Sequence, residues 1–109
     1  MRNGARPRSR IDFKYINGVA LNALPSLLDR LLPGGRIEGH EYVALNPKRA
    51  DRHLGSFRVN VNTGRWADFA VANARGGDVV SLLAYLRGIR QIEAAQKLAA
   101  MLGIEARHA

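Results

Sequence analysis

A hairpin pattern in the middle of the chain constrains the fold more than any other feature. Residues 56–61 alternate between polar and apolar side chains, which is typical of a strand with one buried face. Residues 62–64, Asn-Thr-Gly, predict a tight turn, and residues 65–70 predict the returning strand. In the first strand one face carries Phe57, Val59 and Val61. In the second strand one face carries Trp66 and Asp68, and the other face carries Arg65, Ala67 and Phe69.

The segments that flank this hairpin predict one more strand and several helices. A strand is predicted at residues 41–45, and the proline at position 47 ends it. Apolar residues at helical spacing predict a short helix with Asn17 as N-cap, and a second helix over residues 24–32 with Pro25 in its first turn. Asp78 is predicted to cap a helix that ends near Arg87, and a last helix spans residues 91–102. The expected fold class is therefore α+β: a small antiparallel sheet of three or more strands, an N-terminal helical segment and two C-terminal helices.

Length and composition set limits on the kind of protein. At 109 residues the chain predicts one domain, residues 11–109, preceded by a disordered basic arm, residues 1–10. The absence of cysteine excludes disulfides and thiolate metal sites and favours a reducing, cytoplasmic location. No apolar run approaches the ~20 residues of a membrane span, and the basic N-terminus lacks the apolar segment of a secretory signal.

The charge of the chain favours a polyanionic partner. The formal net charge is +8, and 14 of the 17 basic residues are arginine, whose planar guanidinium pairs with phosphate at two points and stacks on bases. We therefore expect a nucleic acid as partner. An arginine-rich surface without such a role stays open as the alternative.

The candidate binding residues cluster between the predicted strand at 41–45 and the last two helices. Six are candidates for phosphate contacts, and two are candidate surfaces for base stacking. The phosphate candidates are Lys48, Arg49, Arg52, Arg58, Arg65 and Arg75, and the stacking candidates are His53 and Trp66. We expect Arg49, Arg52 and Arg58 to be exposed. Trp66 has a second interpretation as a core residue, and Arg58 and Arg65 have one as solubility residues.

The sequence contains no recognisable catalytic or metal-binding pattern. There is no Ser-His-Asp spacing, no nucleophile elbow and no P-loop, and the acidic residues stand singly. The three histidines lack ligand spacing between them. The Gly76-Gly77-Asp78 helix start fits either a turn with a cap or a phosphate seat. We therefore expect a protein that is not an enzyme and that needs no cofactor or metal.

Several short motifs occur in order between residues 40 and 104: Pro47, Asp51-Arg52, Ser56-Phe57, Val59, Trp66, Phe69 and Gly76-Gly77-Asp78. In their order and spacing they resemble the zinc-ribbon (CHC2-type) N-terminal domain of bacterial DNA primases. The positions of the four family zinc ligands would fall at Asn46, Arg49, Asp68 and Val71, and none is cysteine or histidine. The resemblance implies the family's sheet-plus-helices fold and its handling of nucleic acid, without the metal.

The resemblance also implies a function. The chain would be a module that binds DNA, and the DNA is expected to be single-stranded. It would belong to, or serve, a primase–helicase replication system of a mobile element. Its protein partner would be a primase, helicase or polymerase. The alternative is a protein-binding adaptor or small inhibitor that uses the same basic surface or its leucine-rich helices. A membrane partner is not expected.

Overall fold

Two layers build the fold: an antiparallel sheet, and helices that cover one of its faces. The computed structural model describes residues 10–49 and 54–108. The elements are β1 (Arg10–Ile11), α1 (Phe13–Asn22), α2 (Leu24–Leu31), β2 (Arg36–Glu38), β3 (Glu41–Ala44), β4 (Phe57–Asn60), β5 (Trp66–Asp68), β6 (Arg75–Gly76), α3 (Val79–Arg87), α4 (Gln91–Leu102) and β7 (Arg107–His108). The predicted α+β class is confirmed.

The main sheet has five strands that follow one another along the chain. Their order is β2-β3-β4-β5-β6, and every neighbouring pair is antiparallel. The three predicted strands form its centre. The edge strands β2 and β6 were not predicted, because each has only two or three residues and lacks an alternating pattern.

A separate two-stranded sheet joins the two ends of the described chain. Arg10 pairs with His108 and Ile11 pairs with Arg107. Arg10 is thus part of β1, although the sequence placed it at the end of a disordered arm. Residues 1–9, the rest of that arm, lie outside the described residues.

The predicted alternation in the hairpin is confirmed side chain by side chain. Phe57 and Val59 are fully buried and Trp66 is 5% exposed, whereas Phe69 on the opposite face is 74% exposed. Tyr85 of α3 closes the core over this face, since its ring centroid lies 5.0 Å from that of Trp66. We call the helix-covered side the inner face and the other side the outer face.

The N-terminal helices belong to the same core, but their caps differ from the prediction. α1 is capped by Asp12, whose Oδ1 accepts the Tyr15 N–H at 3.0 Å. Asn17 is not an N-cap of α1. It lies within that helix, and its Oδ1 accepts the backbone N–H of Val80 in the first turn of α3 at 2.9 Å.

α2 buries its leucines and is tied to the sheet through Tyr42. Leu24, Leu27, Leu28 and Leu31 are all buried, so these leucines offer no docking surface. The Tyr42 hydroxyl donates to the carbonyl of Leu32 at 2.6 Å. Burial, together with the nearby Asp29 carboxylate, raises the pKa of Tyr42.

The C-terminal helices α3 and α4 agree closely with the prediction from the sequence. The Asp78 carboxylate accepts the Ser81 N–H at 2.8 Å, and Ser81 Oγ completes a capping box. α4 ends at Leu102, and the glycine that caps it, Gly103, lies in the left-handed region with φ of 70°. Among the described residues, no helix has the length and apolarity that crossing a membrane requires.

Candidate nucleic-acid interface

The outer face of β4, β5 and β6 carries a row of side chains with arginine at both ends. In the register of the sheet, Arg58 lies opposite Ala67, and Ala67 lies opposite Arg75. Side chains directly opposite each other in an antiparallel sheet point to the same face with Cβ atoms about 5 Å apart. The small alanine thus leaves a gap between two guanidinium-bearing chains.

The gap above Ala67 is part of a cleft of about 630 Å³, which we call the outer-face cleft. Its lining combines three arginines, an exposed aromatic ring and two glycines with few acidic groups. The lining residues are Glu41, Arg58, Asn60, Arg65, Trp66, Ala67, Phe69, Arg75, Gly76 and Gly77.

A glycine sets the position of the cleft's last strand. A Cβ at Gly76 would collide with the Trp66 indole and the Ser81 hydroxyl. The absence of a side chain therefore lets β6 lie directly on the tryptophan. This close approach holds the neighbouring Arg75 at the edge of the cleft.

The three arginines of the cleft differ in how their charges are satisfied. Arg58 donates to the Gly55 carbonyl at 2.8 Å and to Glu41 Oε1 at 3.0 Å, and it lies 3.6 Å from Glu38. Arg65 and Arg75 are exposed, and within residues 10–49 and 54–108 neither has an ion-pair partner. Two of the three cations are thus available to an external anion.

The aromatic ring that faces the cleft is Phe69, not Trp66. Trp66 is 5% exposed, and its indole N–H donates to Ser81 Oγ at 3.0 Å. The prediction of Trp66 as a stacking surface is therefore corrected: its ring belongs to the core. Phe69 is 74% exposed and was not proposed, although the alternation of residues 65–70 already placed it on the arginine face.

A second polar cluster joins residues that follow β3 to the last residue of β5. Asn46 and Asp68 are each 1% exposed. Asn46 Nδ2 donates to Asp68 Oδ2 at 2.8 Å and to the Tyr85 hydroxyl at 2.9 Å. Arg49 Nε donates to the same Asp68 oxygen at 3.0 Å, and Arg49 Nη2 donates to Ser56 Oγ at 3.0 Å. We call these five residues the buried-carboxylate cluster.

The hydrogen bonds of this cluster keep Asp68 ionised. Burial would by itself raise the pKa of Asp68. Donation from Asn46, from the Ala70 N–H, from Arg49 and from Ser56 outweighs burial, so the pKa lies below its ordinary value. Asp68 is therefore a carboxylate with a complete set of partners rather than a proton donor or acceptor.

The basic loop residues are thus part of the structure rather than free cations. Arg49 was expected to be exposed, but it pairs with a buried carboxylate. Lys48 Nζ donates to the Tyr85 carbonyl near the end of α3 at 2.8 Å and lies 4.9 Å from the centre of the Tyr85 ring. Arg58, also expected to be exposed, is held by two glutamates. Arg52 and His53 lie outside the described residues.

The cluster occupies the positions at which the resemblance places zinc ligands. Asn46, Arg49 and Asp68 contact one another, and Val71 contributes its N–H to the Asp68 carbonyl at 3.1 Å. These residues do not fit zinc, because Asn46 and Arg49 direct N–H donors at the centre where a metal requires lone pairs. No set of three potential metal ligands occurs in the described part of the chain.

Comparisons with known proteins identify no relative: no family model matches the chain, and no curated protein or solved structure is significantly similar to it. The primase resemblance therefore stays a prediction from sequence.

Proposed function

We propose that this chain binds single-stranded DNA across the outer-face cleft. The observation that supports the proposal is the composition of that cleft: two arginines without ion-pair partners among the described residues lie beside a phenylalanine ring that is 74% exposed. Cations for the backbone and an aromatic platform for the bases are the two components of single-strand binding.

Each component has a defined role in the proposal. Arg65 and Arg75 bind phosphate oxygens, since a guanidinium offers two parallel donors to one phosphate. Phe69 stacks on a base, which requires an unpaired base with an open face. Arg58 orders the floor through its contact with Glu41 and contributes less charge.

The proposal excludes sequence-specific recognition by this cleft. Phosphate contacts position a nucleic acid without reading its sequence, and stacking accepts every base. The choice of DNA and the replication setting, a primase–helicase system of a mobile element, rest on the resemblance of residues 40–104 to primase zinc ribbons.

A salt series of fluorescence anisotropy with a labelled oligothymidylate tests the proposal. We expect binding that weakens with salt at a slope of ~0.7 per phosphate neutralised. The double change of Arg65 and Arg75 to alanine should weaken binding roughly tenfold or more and flatten that slope by about 1.4.

The matched control removes two exposed arginines from the helices instead. Arg30 on α2 and Arg87 on α3 lie away from the cleft, so their double change to alanine alters net charge equally. If this control loses as much affinity as the cleft variant, binding reflects overall charge and the cleft is not the site. If the unaltered chain does not bind at low salt, the function is wrong and an acidic protein partner takes its place.

A further inference from the structure

The strand β2 is an open edge of the five-stranded sheet. It pairs with β3 on one side, and no described residue pairs with its other side. At its centre the Ile37 side chain is 52% exposed, although it lies on the inner face with Tyr42. An open edge with an exposed apolar residue is a template for another strand.

The hydrogen bonds of the sheet determine which backbone groups point outward from β2. The Val61 N–H donates to the carbonyl of His40, the residue before β3, at 2.8 Å. Because hydrogen bonds alternate along an antiparallel strand, Tyr42 and Ala44 of β3 also bond toward β4. Glu41 and Val43 therefore bond toward β2, to their partners Glu38 and Arg36. The N–H and C=O of Ile37 consequently point away from the sheet.

The charges that flank Ile37 are arranged symmetrically. Arg36 and Glu38 lie on the outer face, and Arg36 Nη2 is 2.7 Å from Glu38 Oε2. If a second β2 is placed antiparallel about Ile37, each Arg36 lies opposite the second copy's Glu38, and the two Ile37 side chains meet. Opposite charges in directly facing positions stabilise strand pairing, whereas like charges destabilise it.

We propose that two copies of this chain associate through β2, with the two-fold axis at Ile37. The two Ile37 residues exchange both N–H···O=C bonds, and two Arg36–Glu38 pairs form across the interface. Because the strand is its own complement in charge and hydrogen bonding, a second copy fits this edge better than an unrelated strand does. Only three residues a side pair, so the association depends on concentration rather than being permanent.

The pairing would join two sheets into one of ten strands. The two-fold axis is perpendicular to the plane of the sheet, so both outer-face clefts lie on the same side of it. Their β5 strands are seven strand spacings apart, or roughly 33 Å at 4.7–4.8 Å per strand. A long single strand of DNA would then reach both clefts. This consequence rests on the proposed function, whereas the pairing of the two copies does not depend on it.

Sedimentation equilibrium without nucleic acid tests the pairing independently of DNA binding. We expect the unaltered chain to shift from monomer toward dimer as its concentration rises. Arg36→Glu and Glu38→Arg should each remain monomeric, because each places like charges opposite each other. An equimolar mixture of the two variants should associate again, since every facing pair then has opposite signs.

Three further variants complete the test. Ile37→Pro removes the outward N–H without removing a bond to β3, and it should abolish dimers while circular dichroism stays unchanged. Arg87→Glu and Glu105→Arg make the same charge changes away from β2 and should associate as the unaltered chain does. A chain that is monomeric at every concentration, or a mixture that fails to associate, overturns the proposal.

Discussion

The basic residues after β3 and those on the outer face of the sheet are alike in sequence but not in what they contact. Arg49 donates to the buried carboxylate of Asp68, and Lys48 donates to a carbonyl near the end of α3. Arg65 and Arg75 have no such partners among the described residues. A cluster of cations in a sequence therefore locates neither a binding site nor a free charge by itself.

The difference has a physical cause in burial. Asp68 is on the inner face, where an ionised carboxylate without partners would cost several kcal/mol. Asn46 and Arg49, which follow β3, supply the amide and the cation that it needs. On the outer face Arg65 and Arg75 are exposed to solvent, so neither requires a partner.

Among changes to the cations, removing the loop cation should have the largest effect. Arg49→Ala leaves Asp68 buried with its charge unpaired, and we expect the free energy of unfolding to fall by on the order of 2–4 kcal/mol. Urea denaturation followed by circular dichroism measures it. Arg65→Ala, the same change on the outer face, should cost less than about 0.5 kcal/mol.

Equal and small losses of unfolding free energy in Arg49→Ala and Arg65→Ala would remove the distinction between a structural and a free cation.

Arg49→Lys makes the test of the loop cation more specific. It keeps the charge but cannot reach both Asp68 and Ser56 with the geometry of a guanidinium. Its stability should therefore lie between those of the unaltered chain and Arg49→Ala.

A smaller effect is expected at the exposed ring. Phe69→Ala should reduce affinity for a single-stranded oligonucleotide by ~1–3 kcal/mol, the range for one stacked base, without changing stability. Anisotropy at one fixed salt concentration measures the affinity. Phe69→Trp should retain binding, whereas Phe69→Leu, which keeps apolar bulk without an aromatic face, should behave as the alanine variant.

Phe57→Ala supplies the inner-face counterpart. Phe57 is fully buried, so its truncation should lower stability by ~3–5 kcal/mol.

If Phe69→Leu binds the oligonucleotide as well as the unaltered chain does, the ring of Phe69 is not a stacking surface.

The smallest expected effect concerns pH. The pKa of Asp68 is lower in the folded chain than the ~3.9 of an unfolded aspartate. The unfolded state therefore takes up the proton first as pH falls. The stability that Asp68 contributes is fully present above its unfolded pKa and is lost as pH falls through its folded pKa.

The variant Asp68→Asn separates this contribution from those of other carboxylates. The difference in unfolding free energy between the unaltered chain and the variant should shrink between neutral and acidic pH. Urea denaturation at a series of pH values measures that difference. A difference that stays constant across the series would mean that Asp68 does not titrate differently in the two states.

Much of the fold could be predicted because local rules decide it. The alternation of Phe57 and Val59, the Asp78 cap and the Gly103 stop each depend on residues a few positions apart. The faces of the hairpin were therefore correct, and with them the position of Phe69 beside the arginines. Phe69 was not predicted as a stacking candidate, because the larger ring of Trp66 was the candidate instead.

The parts that could not be predicted depend on residues far apart in sequence. Arg49 and Asp68 are separated by 19 positions, and no local pattern indicates that they meet. The same holds for the short strands β2 and β6, which exist only because a neighbouring strand offers hydrogen bonds. Pairing of charges, and with it the availability of each arginine, is a property of the tertiary structure.

The hydrogen bond from the Val80 N–H to Asn17 has a consequence for the order of folding. The two residues are 63 positions apart, so this bond can form only after α1 has docked against α3. Closing a loop of that length costs chain entropy before any contact compensates it. We therefore expect amide exchange at Val80 to report on the docking of α1 rather than on fraying of α3 alone. The start of α3 and the whole of α1 should then open and close as one cooperative unit.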